Sequence, residues 1–135
     1  YANELSKDYP ELSFEALDIF SDGYKELEYD LVLCTLFLHH FKNEELISFL
    51  KLTLKNAKLG VVVNDLHRHL LAYYLFKIIG LFIKNKMVRE DGLTSVLRAF
   101  KRKDLEHISS QLKAKANIEW KWAFRYQWIL KTEDY

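Results

Sequence analysis

His39 and His40 close one apolar run of the chain, and Asn64, Asp65, His67, Arg68 and His69 close another. These two groups hold the side chains best suited to chemistry. Imidazole titrates near neutrality, so either histidine can take a proton from a phenol or other hydroxyl. Adjacent side chains in an extended segment point apart, so at most one of the pair faces a given acceptor. A packed or helix-capping role is the alternative for each. In the second group, Asp65 or His67 can orient a hydroxyl, and Arg68 can hold a carboxylate or phenolate. Pairing of Asp65 with Arg68 at a helix start is an equally economical structural reading. His67, His69 and Asp65 are close in sequence but have no further ligand group elsewhere, so no metal is expected. Cys34, the one cysteine, sits in an apolar run with nothing nearby to lower its pKa and reads as core rather than as a nucleophile.

These residues need strand ends to present them. Tyr29 to Thr35 is a continuous apolar run of the kind covered on both faces in a parallel sheet, and Leu12 to Phe20 reads as a shorter strand closed by a turn at Ser21, Asp22 and Gly23. Asn43 to Lys58 has the helical period, with Leu46, Ile47, Phe49, Leu50, Leu54 and Ala57 on one stripe. Asn43 suits the cap, and acids at the start and lysines at the end suit the helix dipole. Gly60 is expected to break that helix before Val61, Val62, Val63, Asn64 and Asp65 form a second buried strand. Strand, helix and strand make a right-handed βαβ unit.

Leu70 to Ile83 is apolar on nearly every side and too short for a bilayer of roughly 30 Å, so it predicts a buried or partner-covered helix and no membrane span. Tyr73, Tyr74 and Phe76 make it either a lid over an apolar or aromatic acceptor or plain core or oligomer contact. Lys84 to Phe100 is less regular, and Arg102 to Leu112 is a shorter amphipathic helix. From Ile118 to Lys131 apolar and polar residues alternate, which predicts either one long strand or two strands joined around Ala123 and Phe124, antiparallel to the others. The fold class is therefore α/β with a mostly parallel sheet and antiparallel C-terminal strands, in a single domain over residues 1–135.

Composition narrows the partners. Half of the 135 residues are hydrophobic, and 20 Lys plus Arg nearly cancel 19 Asp plus Glu, so no overall field draws the chain to nucleic acid. The aromatic C-terminal segment mixes Glu119 with Lys121 and Arg125 and reads as sheet rather than a nucleic-acid face. A lone cysteine excludes an internal disulfide and suits the cytoplasm. No secretory signal opens the chain, and its start at Tyr1, in what reads as the end of a helix (Tyr1 to Lys7), suggests a piece of something longer.

The run from Tyr29 to Phe41, above all Leu38-His39-His40-Phe41, resembles the fourth strand and following loop of class I S-adenosylmethionine-dependent methyltransferases acting on small molecules. Gly60 to Arg68 is similar to their fifth strand, and Arg98-Ala99-Phe100 resembles the phrase before their last helix. Leu12 to Phe20 then falls where the third strand belongs. The resemblance implies a Rossmann-like sheet in the order 3-2-1-4-5-7-6 and S-adenosylmethionine as cofactor. It implies that Asp18 and the backbone of Ile19 meet the adenine, and that backbone groups of Cys34, Thr35 and Leu36 face the methionine moiety. Catalysis would fall to His39, His40 and Asp65, with Asn64, His67, Arg68 and Tyr73 around a small-molecule acceptor. The loop lacks the Asn or Asp with two prolines used for amino nitrogen, which favours an oxygen or carbon acceptor.

One departure is large. The family's Gly-rich turn after strand one, and the acid ending strand two, have no counterpart: the four glycines are scattered and no G-x-G occurs. Without strands one and two, Leu12 to Phe20 has nothing to pair with beside Tyr29 to Thr35. The fragment is therefore expected to be inactive alone, and to belong with an N-terminal segment, to rearrange, or to pair with another copy as a homo-oligomer. A noncatalytic binding or dimerisation module on the same sheet is the rival reading. A nicotinamide-dependent oxidoreductase would need a G-x-G-x-x-G loop upstream.

Overall fold

The β-branched run Val61, Val62 and Val63 lies at the centre of a four-stranded sheet in the computed structural model, which describes residues 2–132. The strands are β1 (Tyr29–Thr35), β2 (Ala57–Leu66), β3 (Lys115–Lys121) and β4 (Arg125–Lys131), in the order β1-β2-β4-β3. β1 and β2 are parallel, and β4 is antiparallel to both its neighbours, β2 and β3. This is the order expected of strands four, five, seven and six.

Short helices α1 (Ala2–Leu5) and α2 (Asp22–Lys25) precede β1, and a 3₁₀ turn over Leu38–His40 follows it. Helix α3 (Asn43–Asn56) makes the parallel crossover; α4 (Leu70–Gly80), α5 (Lys86–Arg98) and α6 (Arg102–Gln111) lie between β2 and β3. Strand alternation sends Val32 and Cys34, Val61, Val63 and Asp65, and Tyr126, Trp128 and Leu130 to one face. Leu46, Phe49 and Leu50 of α3 and Leu105 and Ile108 of α6 close the core on that face. Trp128 is fully buried, and its indole N–H donates to Ser109 Oγ on α6 at 3.0 Å.

Several expectations change. Leu12 to Phe20 forms no strand: residues 11–18 are exposed, and β1 pairs only with β2 among the described residues. A segment with no neighbouring edge gains no ladder hydrogen bonds, so its apolar pattern alone does not make it β structure. β1 is also covered on one face only, by α3 and α6, leaving Leu31 and Leu33 exposed on the other.

The crossover helix stops at Asn56, and Ala57 already belongs to β2. Gly60 is thus a strand residue at an irregularity in the β1–β2 register, not a helix stop. Its φ is +139°, and a Cβ there would lie 2.1 Å from the Leu130 carbonyl oxygen. The residue before α3 is Lys42 rather than Asn43, and the Glu45 carboxylate accepts its N–H at 3.2 Å.

The stretch Lys84 to Phe100 contains a full helix, α5, capped by Asn85 Oδ1 on the N–H of Met87. Its Gly92 concealed it, yet a Cβ there would lie 2.2 Å from the Phe76 ring: the glycine admits α4. Within α4 itself only Gly80 is buried, so this helix is not core within the chain. Finally, the C-terminal segment is a hairpin. Ala123 and Phe124 turn it with φ of +62° and +54°, a conformation glycine or asparagine usually fills. The Phe124 carbonyl is held by the N–H of His67 at 2.8 Å, a tertiary bond that no local turn signal announces.

Candidate functional site

The carboxyl ends of β1 and β2 lie side by side, with Thr35 opposite Asn64. In open α/β sheets this edge is where ligands bind. Leu36 leaves β1 with φ of +50°, its N–H donating to the Asn64 carbonyl at 2.9 Å. That reversal folds the chain into the Leu38–His40 turn directly above the end of β2.

Asp65 is the centre of the site. It shares the core-facing phase of Val61 and Val63 and is 1% exposed. A buried carboxylate must be hydrogen-bonded on most of its lone pairs to survive there. Oδ2 accepts the backbone N–H groups of Phe37 (3.2 Å), Leu38 (2.8 Å) and His39 (3.3 Å). Oδ1 accepts from Leu66 N at 2.7 Å and from His39 Nδ1 at 2.6 Å. Burial alone would push its pKa up, but the His39 hydrogen bond and the backbone N–H groups of Leu66 and Leu38 outweigh it and hold the carboxyl below its ordinary value.

An ionised carboxylate only accepts, so Nδ1 of a neutral His39 carries the proton and Nε2 carries the lone pair. Nε2 is buried and has no hydrogen-bond partner among the described residues. In that tautomer the Asp65 carboxylate holds the His39 ring from behind, the arrangement used to orient imidazoles in general base catalysis. In this turn the two histidines do not point apart as in an extended segment: the His40 ring packs 4.2 Å from that of His39, but His40 is exposed while His39 is buried.

The pairing of Asp65 with Arg68 is not formed. Arg68 Nη2 bonds instead to Asp104 Oδ2 of α6 at 2.7 Å, and both side chains are about two-fifths exposed. His67 packs against Tyr126 with ring centroids 4.7 Å apart, and its Nδ1 is buried without a partner among the described residues. Burial, then the neighbouring His69, pulls its pKa down. His69 instead caps α4, accepting the Leu71 N–H at 3.1 Å. The Asn64 Oδ1 is likewise buried and without a partner among the described residues. Burial, with the Asp65 charge behind it, pushes the Cys34 thiol up to about 11, so it stays neutral. No group of three His, Cys, Asp or Glu residues suited to a metal occurs among the described residues.

Asp18 and Ile19 stand apart from this edge in one respect: no strand ends at them. The Asp18 carboxylate accepts the Phe20 N–H at 2.9 Å in a turn, while Ile19 packs partly against the core. Thr35 and Leu36 are exposed at the end of β1. Tyr73 is half-buried against Tyr74 and outside the walls of the one strongly apolar groove nearby.

That groove, of about 580 Å³, runs between α4 and the tip of the β3–β4 hairpin. His67 reaches it, with Ala72, Leu75, Phe76 and Ile79 on one side and Trp120, Trp122 and Phe124 on the other. The helical spacing of residues 72, 75, 76 and 79 was the available sign of this wall.

No family model matches the chain, and no curated protein sequence matches it significantly. Solved structures do. Magnesium protoporphyrin IX methyltransferase from Synechocystis with bound SAH superposes with a TM-score of 0.57 at 15% identity, over 98% of this chain and 58% of that one. The same enzyme with bound SAM gives a TM-score of 0.52 at 13% identity, over 98% and 53%. The sheet is a partial Rossmann-like sheet. The chain spans little more than half the length of these structures, and the strands it supplies are the parallel pair with the antiparallel hairpin.

Proposed function

We propose that this chain is the C-terminal portion of one small-molecule methyltransferase domain, which transfers a methyl group from S-adenosylmethionine to an oxygen or carbon acceptor. The observation that carries the reading is the Asp65–His39 couple at the carboxyl edge of the parallel pair, with an Nε2 that has no partner among the described residues. When bound, S-adenosylmethionine supplies an electrophilic methyl on a sulfonium. The chain's own residues do the rest. His39 takes the acceptor's proton at Nε2, while Asp65 keeps Nδ1 protonated and the ring in place. Asn64 Oδ1 and His67 Nδ1, both buried and without a partner among the described residues, offer positioning contacts, and the groove beside His67 holds an apolar acceptor body. Proximity supplies much of the rate.

What the residues offer the cofactor is one wall. Thr35 and Leu36 are exposed at the carboxyl end of β1, which suits a ligand lying there. Asp18 and Ile19 are the proposed adenine contacts, and His40 an auxiliary acceptor contact. The Gly-rich turn and ribose acid have no counterpart in this sequence, so a second copy cannot supply them, and an N-terminal segment on the open β1 edge is their proposed source. The uncovered sheet face at Leu31, Leu33 and Val62 supports such a complement.

Calorimetric titration of S-adenosylmethionine into this chain and into an upstream-extended form tests the reading. Binding by the extended form alone is the expected result, and absence of binding to both overturns it. In the extended form, His39→Gln should lower methyl transfer by about 10²- to 10⁴-fold with cofactor affinity kept. Unchanged turnover would remove His39 from the mechanism.

A further inference from the structure

Helix α4 has more apolar surface than the groove uses. At 3.6 residues per turn, Ala72, Leu75, Phe76 and Ile79 share the groove-facing side, while Leu70, Leu71, Tyr74 and Ile78 project from another. All four of the latter are exposed, and the chain then continues through Leu81 and Phe82, which is 84% exposed. A second element exposes apolar surface across the groove from α4: Trp122, at the hairpin tip, is 86% exposed. Exposed apolar surface on two elements that border one groove marks an interaction site.

The charges around it identify the occupant. Between residues 66 and 89 there are five cations, Arg68, Lys77, Lys84, Lys86 and Arg89, and no Asp or Glu, in a chain whose charges otherwise balance. Arg68 is tied to Asp104 and Lys86 reaches Glu90 at 3.6 Å, but Lys77 and Lys84 form no ion pair among the described residues. A protein partner would need acids matched to these cations one by one. A bilayer rich in anionic headgroups supplies them everywhere, with an apolar layer just beneath for Leu81, Phe82 and Ile78. No described helix is long and apolar enough to cross a membrane, so α4 would lie in the interface.

We infer that α4, the Leu81–Phe82 loop and Trp122 form a docking face for an anionic lipid bilayer surface. Docking there sets the groove beside the lipid, where an apolar molecule can enter without crossing water. The inference stands without the methyl-transfer proposal, because it concerns a surface rather than the Asp65–His39 edge.

Co-sedimentation of the full chain with phosphatidylcholine vesicles, with and without phosphatidylglycerol, tests it. Expected are strong binding only with phosphatidylglycerol, weakening with salt, and a blue shift of tryptophan emission that Trp122→Phe diminishes. Lys77→Gln with Lys84→Gln should weaken that binding by about 25-fold, roughly fivefold per cation removed near the surface. Phe82→Gln should weaken it independently of salt, and circular dichroism checks that these exposed substitutions leave the fold intact. Equal affinity for both vesicle types would overturn the inference. So would failure to bind either, whether the chain is then a dimer dispersed by Phe82→Gln, with a second copy on this face, or a monomer that gains no apolar dye, with the face covered by its own chain.

Discussion

Asp65 and Arg68 lie three positions apart at the end of β2, yet their surroundings have little in common. Asp65 is fully buried and saturated by five hydrogen-bond donors. Arg68 is half-exposed and meets one carboxylate on a distant helix. The difference lies in strand phase: Asp65 keeps step with Val61 and Val63, whereas Arg68 follows the last residue of the strand. A polar side chain delivered into the core has to organise everything around it, and one delivered to the rim does not. The polar run after the strand is thus a structural anchor for the candidate base followed by a loosely held rim.

Breaking the anchor should have the largest effect. Asp65→Ala leaves the Leu38 and His39 N–H groups and the His39 ring unsatisfied in the core, at a cost of about 3–5 kcal/mol in urea unfolding. A loss under about 1 kcal/mol would show that the Leu38–His40 turn does not depend on Asp65. Gly60→Ala tests the strand that carries Asp65. Its Cβ would meet the Leu130 carbonyl at a φ disfavoured for alanine, so a loss of about 1–3 kcal/mol is expected. If the variant matches the parent in stability, the tight β2–β4 approach is wrong.

Acid should pick out the anchor as well. The Asp65 carboxyl titrates lower in the folded chain than its ordinary 3.8, so the unfolded chain takes up the proton first as the pH falls. Its contribution is therefore complete above about pH 5 and is lost below the ordinary value, as the pH approaches the lower folded one. Asp65→Asn should flatten that part of the stability–pH profile and Arg68→Ala should leave its shape alone. Equal profiles for the two variants would erase the contrast between them. Smallest of all is the stability change for Arg68→Ala, about 0–1 kcal/mol, because its ion pair with Asp104 is exposed to solvent. A larger loss would promote the rim to an anchor.

Much of the parallel unit was legible in the sequence, because a continuous apolar strand, an amphipathic helix and a β-branched strand each announce themselves locally. The failures have specific causes. Leu12 to Phe20 has strand composition but no neighbouring edge. Helix α5 carries Gly92 where sequence alone reads irregularity, and only the Phe76 ring seated there explains it. Asp65 and Arg68 were legible as polar residues at a strand end, but the structure changed their pairing. Local spacing makes an Asp65–Arg68 pair convenient; burial makes an Asp65–His39 pair necessary. The groove escaped notice because its two walls, α4 and Trp120 to Phe124, are far apart in the chain and each reads separately as ordinary periodicity.

The sequence by itself determined the period of each element, the polar character of both strand ends and the charge asymmetry around α4, since these depend on residues close along the chain. Tertiary structure alone decided which histidine is held by the carboxylate, which strand faces stay bare and how a hairpin turns through Ala123 and Phe124 without glycine. Those outcomes rest on contacts between distant segments, Leu36 to Asn64, His39 to Asp65 and His67 to Phe124, whose free energy exceeds the local preferences they override.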